Sequence, residues 1–96
     1  MAYTLTETIQ HGNYEETRAE TYNEVPNFET FAQFYSDSPY AGDKTKEALL
    51  SNVFFRETYD TLLVNFHNDI TAPHDLASFG LSTLQLEETE HPWSSQ

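Results

Sequence analysis

The first part of the chain alternates between apolar and polar side chains. Residues 3–9 place apolar side chains on one side and threonines on the other, and only Glu7 interrupts the apolar side. This period of two residues is typical of a half-buried strand. The apolar positions are Tyr3, Leu5 and Ile9.

A second strand is predicted after the turn signal His-Gly-Asn at residues 11–13. Residues 14–22 put Tyr14 and Tyr22 on one face and Thr and Ala on the other, so the two segments together predict a β-hairpin. A short acidic helix over residues 15–20 is the alternative, because Glu, Arg and Ala are good helix formers.

The next segment predicts a helix with an aromatic stripe. Pro26 interrupts the chain, and Asn27 is suited to cap a helix that runs to about Tyr35. Aromatic residues recur at a spacing of three, and such a stripe more often forms core than a ligand site. They are Phe28, Phe31 and Phe34.

A second helix is predicted after the turn-rich residues 36–42. Asp43 is the predicted N-cap, and Glu47 lies in the early turns. Residues 54–59 suit either the last turn of this helix or the start of an extended segment. The predicted buried stripe contains Ala48, Leu49 and Val53, with Leu50 and Phe54 as further candidates.

The C-terminal third predicts two strands separated by a short helix. Residues 61–67 form an apolar run of the length expected of a central strand. Pro73 suits the first position of a helix over residues 74–79, with Gly80 as its stop. Residues 87–96 read as a charged, flexible tail. The last strand is marked by Leu81, Leu84 and Leu86.

This order, β-β-α-α-β-α-β, predicts one α+β domain over residues 1–96. Two or three helices are expected to pack on one face of a small, mainly antiparallel sheet of three or four strands. A chain of this length is able to bury one hydrophobic core but not two.

The net charge of the chain says more about its possible partners than any motif does. The chain has 16 carboxylates against four Lys and Arg, which gives a formal net charge of -12. Self-repulsion at this density opposes folding, and a small domain needs only about 2 to 8 net charges for solubility. A basic protein partner is therefore predicted, whereas direct binding to nucleic acid or an anionic membrane is disfavoured.

The residue inventory also disfavours several chemistries. There is no cysteine, which fits a reducing cytosol and removes thiolate chemistry. The chain contains no Gly-x-Ser-x-Gly sequence, no phosphate-cradling glycine loop, no apolar window long enough to span a bilayer and no secretory leader pattern. We expect neither an enzyme nor a cofactor.

One cluster of imidazoles and carboxylates has the donor atoms that zinc or a redox metal binds. Its spacing matches no known motif, however, and such residues commonly begin turns and cap helices. We therefore predict no metal site. The cluster consists of His67, Asp69, His74 and Asp75.

The carboxylates are spread over every predicted element, so folding is expected to collect several on one surface. Residues two apart on a strand lie about 6.6 Å from each other, near twice the rise of about 3.4 Å per nucleotide in DNA. Glu16 with Glu20, and Glu88 with Glu90, are predicted to imitate a row of phosphates. An ordinary solvated face is the alternative.

Tyr40 and Trp93 lie in loop-like sequence and suit interface anchors. The predicted partner-binding residues are Glu15, Glu16, Glu20, Glu24, Asp37, Tyr40, Asp43, Glu88 and Glu90.

In size, charge, missing cysteine and missing active site, the chain resembles the small acidic inhibitors that phages and mobile elements use against host DNA-binding machinery. These include anti-CRISPR, anti-restriction and uracil-glycosylase inhibitor proteins. The resemblance is one of character and shares no motif. It implies that the protein acts in the bacterial host cytoplasm by occupying a basic DNA channel, for which a CRISPR surveillance complex is the first candidate. The alternative is an acidic assembly subunit, such as a phage structural or immunity-type partner, without DNA mimicry.

Overall fold

The computed structural model describes residues 1–89 of the chain. The elements in chain order are β1 (Ala2–His11), β2 (Tyr14–Tyr22), α1 (Phe28–Ser36), α2 (Lys46–Leu50), α3 (Val53–His67), a 3-10 turn (Pro73–Asp75), β3 (Ala77–Phe79) and β4 (Ser82–Thr89). One antiparallel sheet has the strand order β2-β1-β4-β3. The predicted α+β class with a small antiparallel sheet is confirmed.

Two hairpins build the sheet, and each turns on two residues. Gly12 in the first turn and Gly80 in the second have φ values of 61° and 58°. A glycine at the first central position, followed by a residue with negative φ, fits the type II′ turn that strand twist favours. The predicted hairpin of β1 and β2 is confirmed, and the helical alternative for residues 15–20 is wrong.

The core lies between the sheet and the helices. Along β1 and β4 alternate residues point towards the helices and are buried, while their neighbours form an open face rich in threonine. Phe31 of α1 stacks on Phe55 of α3 with ring centroids 4.8 Å apart. The Asn27 side chain caps α1 as predicted, accepting a bond from the Thr30 N–H at 2.8 Å.

The prediction of a central strand over residues 61–67 is wrong, because this segment belongs to α3. Buried positions along α3 recur at Phe55, Tyr59 and Leu62, which is the spacing of one helix face. Val64, in the middle of the apolar run, is 53% exposed. A short apolar run has no unambiguous period, so its length and composition were misleading.

The start of α2 also differs from the prediction. Thr45, rather than Asp43, is the N-cap, and its side chain accepts a bond from the Ala48 N–H. Only Leu49 of the predicted stripe is buried, whereas Val53 and Phe54 are 64% and 69% exposed. Helix α2 ends at Leu50 and α3 begins at Val53, with Ser51 and Asn52 between them. This change of helix turns Val53 and Phe54 away from the core.

The helix predicted over residues 74–79 is reduced to the 3-10 turn, after which Ala77–Phe79 pair with β4. Gly80 forms a hairpin turn rather than a helix stop, since its neighbours pair across it. Strand β4 continues through residues 87–89, which pair with β1, so this part of the predicted tail belongs to the sheet.

Candidate functional site

The carboxylate that interrupts the apolar side of β1 lies inside the protein. Glu7 is completely buried and accepts hydrogen bonds from Arg18 Nε at 3.0 Å, Ser38 Oγ at 3.0 Å and Ser82 Oγ at 2.5 Å. A buried charge is tolerated only when it is paired and hydrogen-bonded in this way. Glu7 therefore connects β1 with β2, β4 and the loop after α1.

Arg18, the one basic residue of β2, is turned towards this buried carboxylate. Its second nitrogen donates to the Phe34 carbonyl oxygen at 2.6 Å, and its guanidinium carbon lies 3.9 Å from the centroid of the Phe34 ring. The Arg18 charge is thus balanced internally. The exposed carboxylates of β2 are not neutralised by it.

These carboxylates form a strip along one side of the molecule, which we call the acidic edge. Its members are all exposed, and they are Glu15, Glu16, Glu20 and Glu24. Among residues 1–89, no Lys or Arg lies within ion-pair distance of any of them. One imidazole does approach, with His11 Nε2 3.2 Å from Glu16 Oε1. The acidic edge therefore presents to solvent a negative potential that no Lys or Arg of residues 1–89 compensates.

The glutamates of the acidic edge that belong to β2 are distributed over both faces of the sheet. The register pairs Glu16 with Ile9 and Glu20 with Leu5, so both acids lie on the helix side. Glu15 pairs with Gln10 and lies on the open side. The predicted pair of Glu16 and Glu20 does share a face, about 13 Å apart along the strand.

Tyr40 lies in the loop between α1 and α2, as predicted, and its side chain contacts the end of the hairpin. Its hydroxyl donates to Glu16 Oε1 at 2.5 Å and lies 3.0 Å from His11 Nε2. This hydrogen bond to Glu16, together with burial, raises the pKa of Tyr40 to about 12. Tyr14 stacks on His11 with ring centroids 5.0 Å apart and completes the cluster.

A groove of about 400 Å³ separates β2 from α1 beside the acidic edge. Glu20, Glu29 and Asp37 line it, and Lys46 Nζ lies 3.4 Å from Glu29 Oε1. Burial raises the pKa of the Tyr22 phenol at the same groove, and the Glu20 carboxylate adds to this rise. The groove suits a cationic or hydrogen-bonding side chain more than an anionic one.

The remaining predicted partner-binding residues are dispersed. Asp43 is exposed in the loop before α2, and Glu88 is exposed on β4, two strands from β2. Glu90 and the proposed anchor Trp93 lie outside the described residues. The predicted row of Glu88 and Glu90 is therefore untested, and Glu88 does not belong to the acidic edge.

The predicted cluster of His67, Asp69, His74 and Asp75 is spread from the end of α3 to the 3-10 turn. His74 Nε2 lies 3.6 Å from Asp75 Oδ2. Within residues 1–89, no three His or carboxylate side chains are placed to hold one metal ion.

Sequence reasoning missed the roles of Glu7, Arg18 and His11. A signal was present, because a two-residue turn at positions 12 and 13 places Glu7 directly opposite Arg18. An acid at an apolar position facing the only Lys or Arg of a hairpin indicates an ion pair across the two strands. The contacts with Ser38 and Ser82 come from distant parts of the chain and leave no local pattern.

Across the described residues, no helix has the length and apolar character required to cross a membrane. No protein-family model, curated protein or solved structure matches the chain.

Proposed function

We propose that this protein binds a basic surface of a DNA-binding protein through the acidic edge and competes there with DNA. The observation that carries the proposal is the uncompensated charge of the edge. Four glutamates are exposed along β2 and the turn after it, while the only arginine of that strand is committed to Glu7.

The physical reason lies in the partner's own electrostatics. A channel that binds DNA holds Lys and Arg side chains close together, so an acidic surface relieves their mutual repulsion and speeds the encounter. Carboxylates at strand spacing offer acceptors in place of phosphates. Nearby aromatic groups supply contacts beyond charge, and Tyr14, 60% exposed at the hairpin turn, is the most accessible of them.

The partner class follows from this chemistry and from the resemblance in size and charge described above. We place the protein in the cytoplasm of a bacterial host, acting against a defence complex that binds DNA. A CRISPR surveillance complex is the partner to test first, followed by a restriction enzyme or a glycosylase.

An acidic assembly subunit is the second candidate function. It is favoured by one observation, namely that β2 is a long strand at the edge of the sheet, paired on one side only. Such an edge is suited to joining another protein without imitating DNA. The two functions differ in whether the bound partner still takes up DNA.

Capture from a phage-host lysate separates them. Tagged protein is used at about 50 mM and then about 300 mM salt, and duplex DNA is added to displace the partner, which is identified by mass spectrometry. The proposal expects a DNA-binding complex that duplex DNA elutes and that higher salt weakens. A captured partner that still binds DNA in the complex would contradict mimicry and support the assembly subunit.

A matched pair of variants tests the role of the acidic edge. Glu15→Gln with Glu20→Gln removes two charges from the edge, and Glu47→Gln with Glu57→Gln removes two exposed charges from the helices. We expect only the first variant to lose the partner. Equal retention by both variants would exclude the acidic edge as the binding surface.

A further inference from the structure

The two edges of the sheet are protected very differently. β3, at one edge, has three residues, whereas β2, at the other, has nine. An edge strand carries a row of unpaired backbone N–H and C=O groups, which another strand is able to bond. The length of β2 makes its row the longer one.

The first turn determines which groups of β2 point outward. In a hairpin with a two-residue turn, the pair next to the turn is hydrogen-bonded, and bonded and non-bonded pairs then alternate. The turn at Gly12 makes His11 and Tyr14 the first bonded pair. Alternation leaves outward-pointing backbone groups at Glu15, Thr17, Ala19 and Thr21.

The same rule applied to the second hairpin is verified by a contact. It predicts that Ser78 of β3 points its carbonyl outward, and Thr58 Oγ1 of α3 donates to that oxygen at 3.0 Å. The β3 edge is thus short and capped by α3. No hydrogen bond reaches the outward groups of β2 from any other part of residues 1–89.

Charge decides which strand is suited to this edge. If two copies of β2 paired antiparallel about Arg18, Glu16 of each copy would face Glu20 of the other. Like charges directly opposite each other destabilise a sheet. A strand with Lys or Arg at the positions facing Glu16 and Glu20, which lie on one face, is stabilised by the same geometry.

We propose that β2 accepts an extended basic segment of the partner protein as a fifth strand of the sheet. This inference rests on the proposed function, because it describes how the acidic edge holds its basic partner. Backbone bonds to the four outward residues of β2 hold the segment in register. Basic side chains four residues apart face Glu16 and Glu20, and the groove between β2 and α1 lies beside them.

The probe is a peptide as long as the nine residues of β2, with the sequence Lys-Thr-Lys-Thr-Val-Thr-Lys-Thr-Lys. Its control carries N-methyl groups on the four threonines, which removes the backbone donors facing β2 and keeps every charge. Binding is measured by calorimetry, and amide hydrogen exchange of labelled protein is followed by NMR.

We expect the unmodified peptide to slow exchange of the N–H groups of Glu15, Thr17, Ala19 and Thr21. The methylated peptide should bind at least about tenfold more weakly, since it loses up to four backbone hydrogen bonds. Equal binding by both peptides, without protection of these amides, would overturn strand addition and leave the acidic edge as a purely electrostatic site. Binding by neither peptide at low salt would contradict both proposals.

A variant of the protein gives a second test. Ala19→Pro removes one outward N–H from an exposed position without removing a bond to β1, and proline is tolerated on edge strands at such positions. Ala19→Val is the control, which keeps the donor. We expect only the proline variant to lose affinity for the peptide, by about tenfold. If both variants keep native near-ultraviolet circular dichroism and bind equally, the register proposed for the added strand is wrong.

Discussion

Arg18 Nε donates a hydrogen bond to Glu7 Oε1 at 3.0 Å, directly across the first hairpin. Glu7 is fully buried and Arg18 is part-buried, so this ion pair lies largely inside the fold. It also has a consequence at the surface, because it withdraws the only cation of β2 from solvent and leaves the glutamates of that strand uncompensated.

Removing the buried carboxylate should destabilise the protein strongly. Glu7→Ala leaves the Arg18 charge without its partner and two serine hydroxyls without their acceptor, and breaking a buried pair costs about 3–5 kcal/mol. Urea denaturation measures the free energy of unfolding. Glu15→Ala, at an exposed position of β2, should change it by less than about 0.5 kcal/mol. A similar small effect for both variants would show that Glu7 is not a structural centre.

Tyr40 should ionise later than an ordinary tyrosine. Its folded-state pKa of about 12 lies above the ordinary tyrosine pKa of 10.0, so the folded protein holds the phenol proton to higher pH than the unfolded chain does. The stability that this proton contributes is present below about pH 10 and is lost as pH rises to about 12. The difference in tyrosinate absorbance between wild type and Tyr40→Phe should therefore rise near pH 12. A difference that develops at pH 10 would contradict the bond to Glu16.

Truncation of two adjacent phenylalanines of α3 should lower the free energy of unfolding by very different amounts. Phe55 is fully buried and stacks on Phe31, whereas Phe54 is 69% exposed. Phe55→Ala should cost about 3–5 kcal/mol of unfolding free energy, since it removes a large buried ring. Phe54→Ala should cost less than about 0.5 kcal/mol, since exposed substitutions have small effects. Thermal and urea unfolding of the two variants provide the comparison, and the opposite ranking would mean that α3 is rotated about its axis.

Much of the first half of the fold was predictable because its signals are local. The alternation in residues 3–9, the glycine of the first turn and the Asn27 cap each act within a few residues of themselves. The second half was less predictable. Residues 61–67 have the composition of a strand, but contacts of Phe55, Tyr59 and Leu62 with the core hold them in α3.

The candidate site shows the same division. The acidity of β2 is readable in its glutamates, and Glu16 and Glu20 share a face as their spacing predicts. The packing of Tyr40 against the hairpin depends on a contact that spans 24 residues and was not foreseen. Glu88 has the same predicted role as the β2 acids, but it lies two strands away from them.

By itself, the sequence determined the charge, the first hairpin, the start of α1 and the α+β class, because composition, turn geometry and capping are set by neighbouring residues. Only the tertiary structure decided that Glu7 is buried, that Arg18 is turned inward to it and that β2 lies at an open edge. Ser38, Ser82 and Phe34 complete the environment of this pair from distant positions. The hairpin turn alone places Glu7 opposite Arg18, whereas the burial of the pair and the strand order arise only when such separated segments come together.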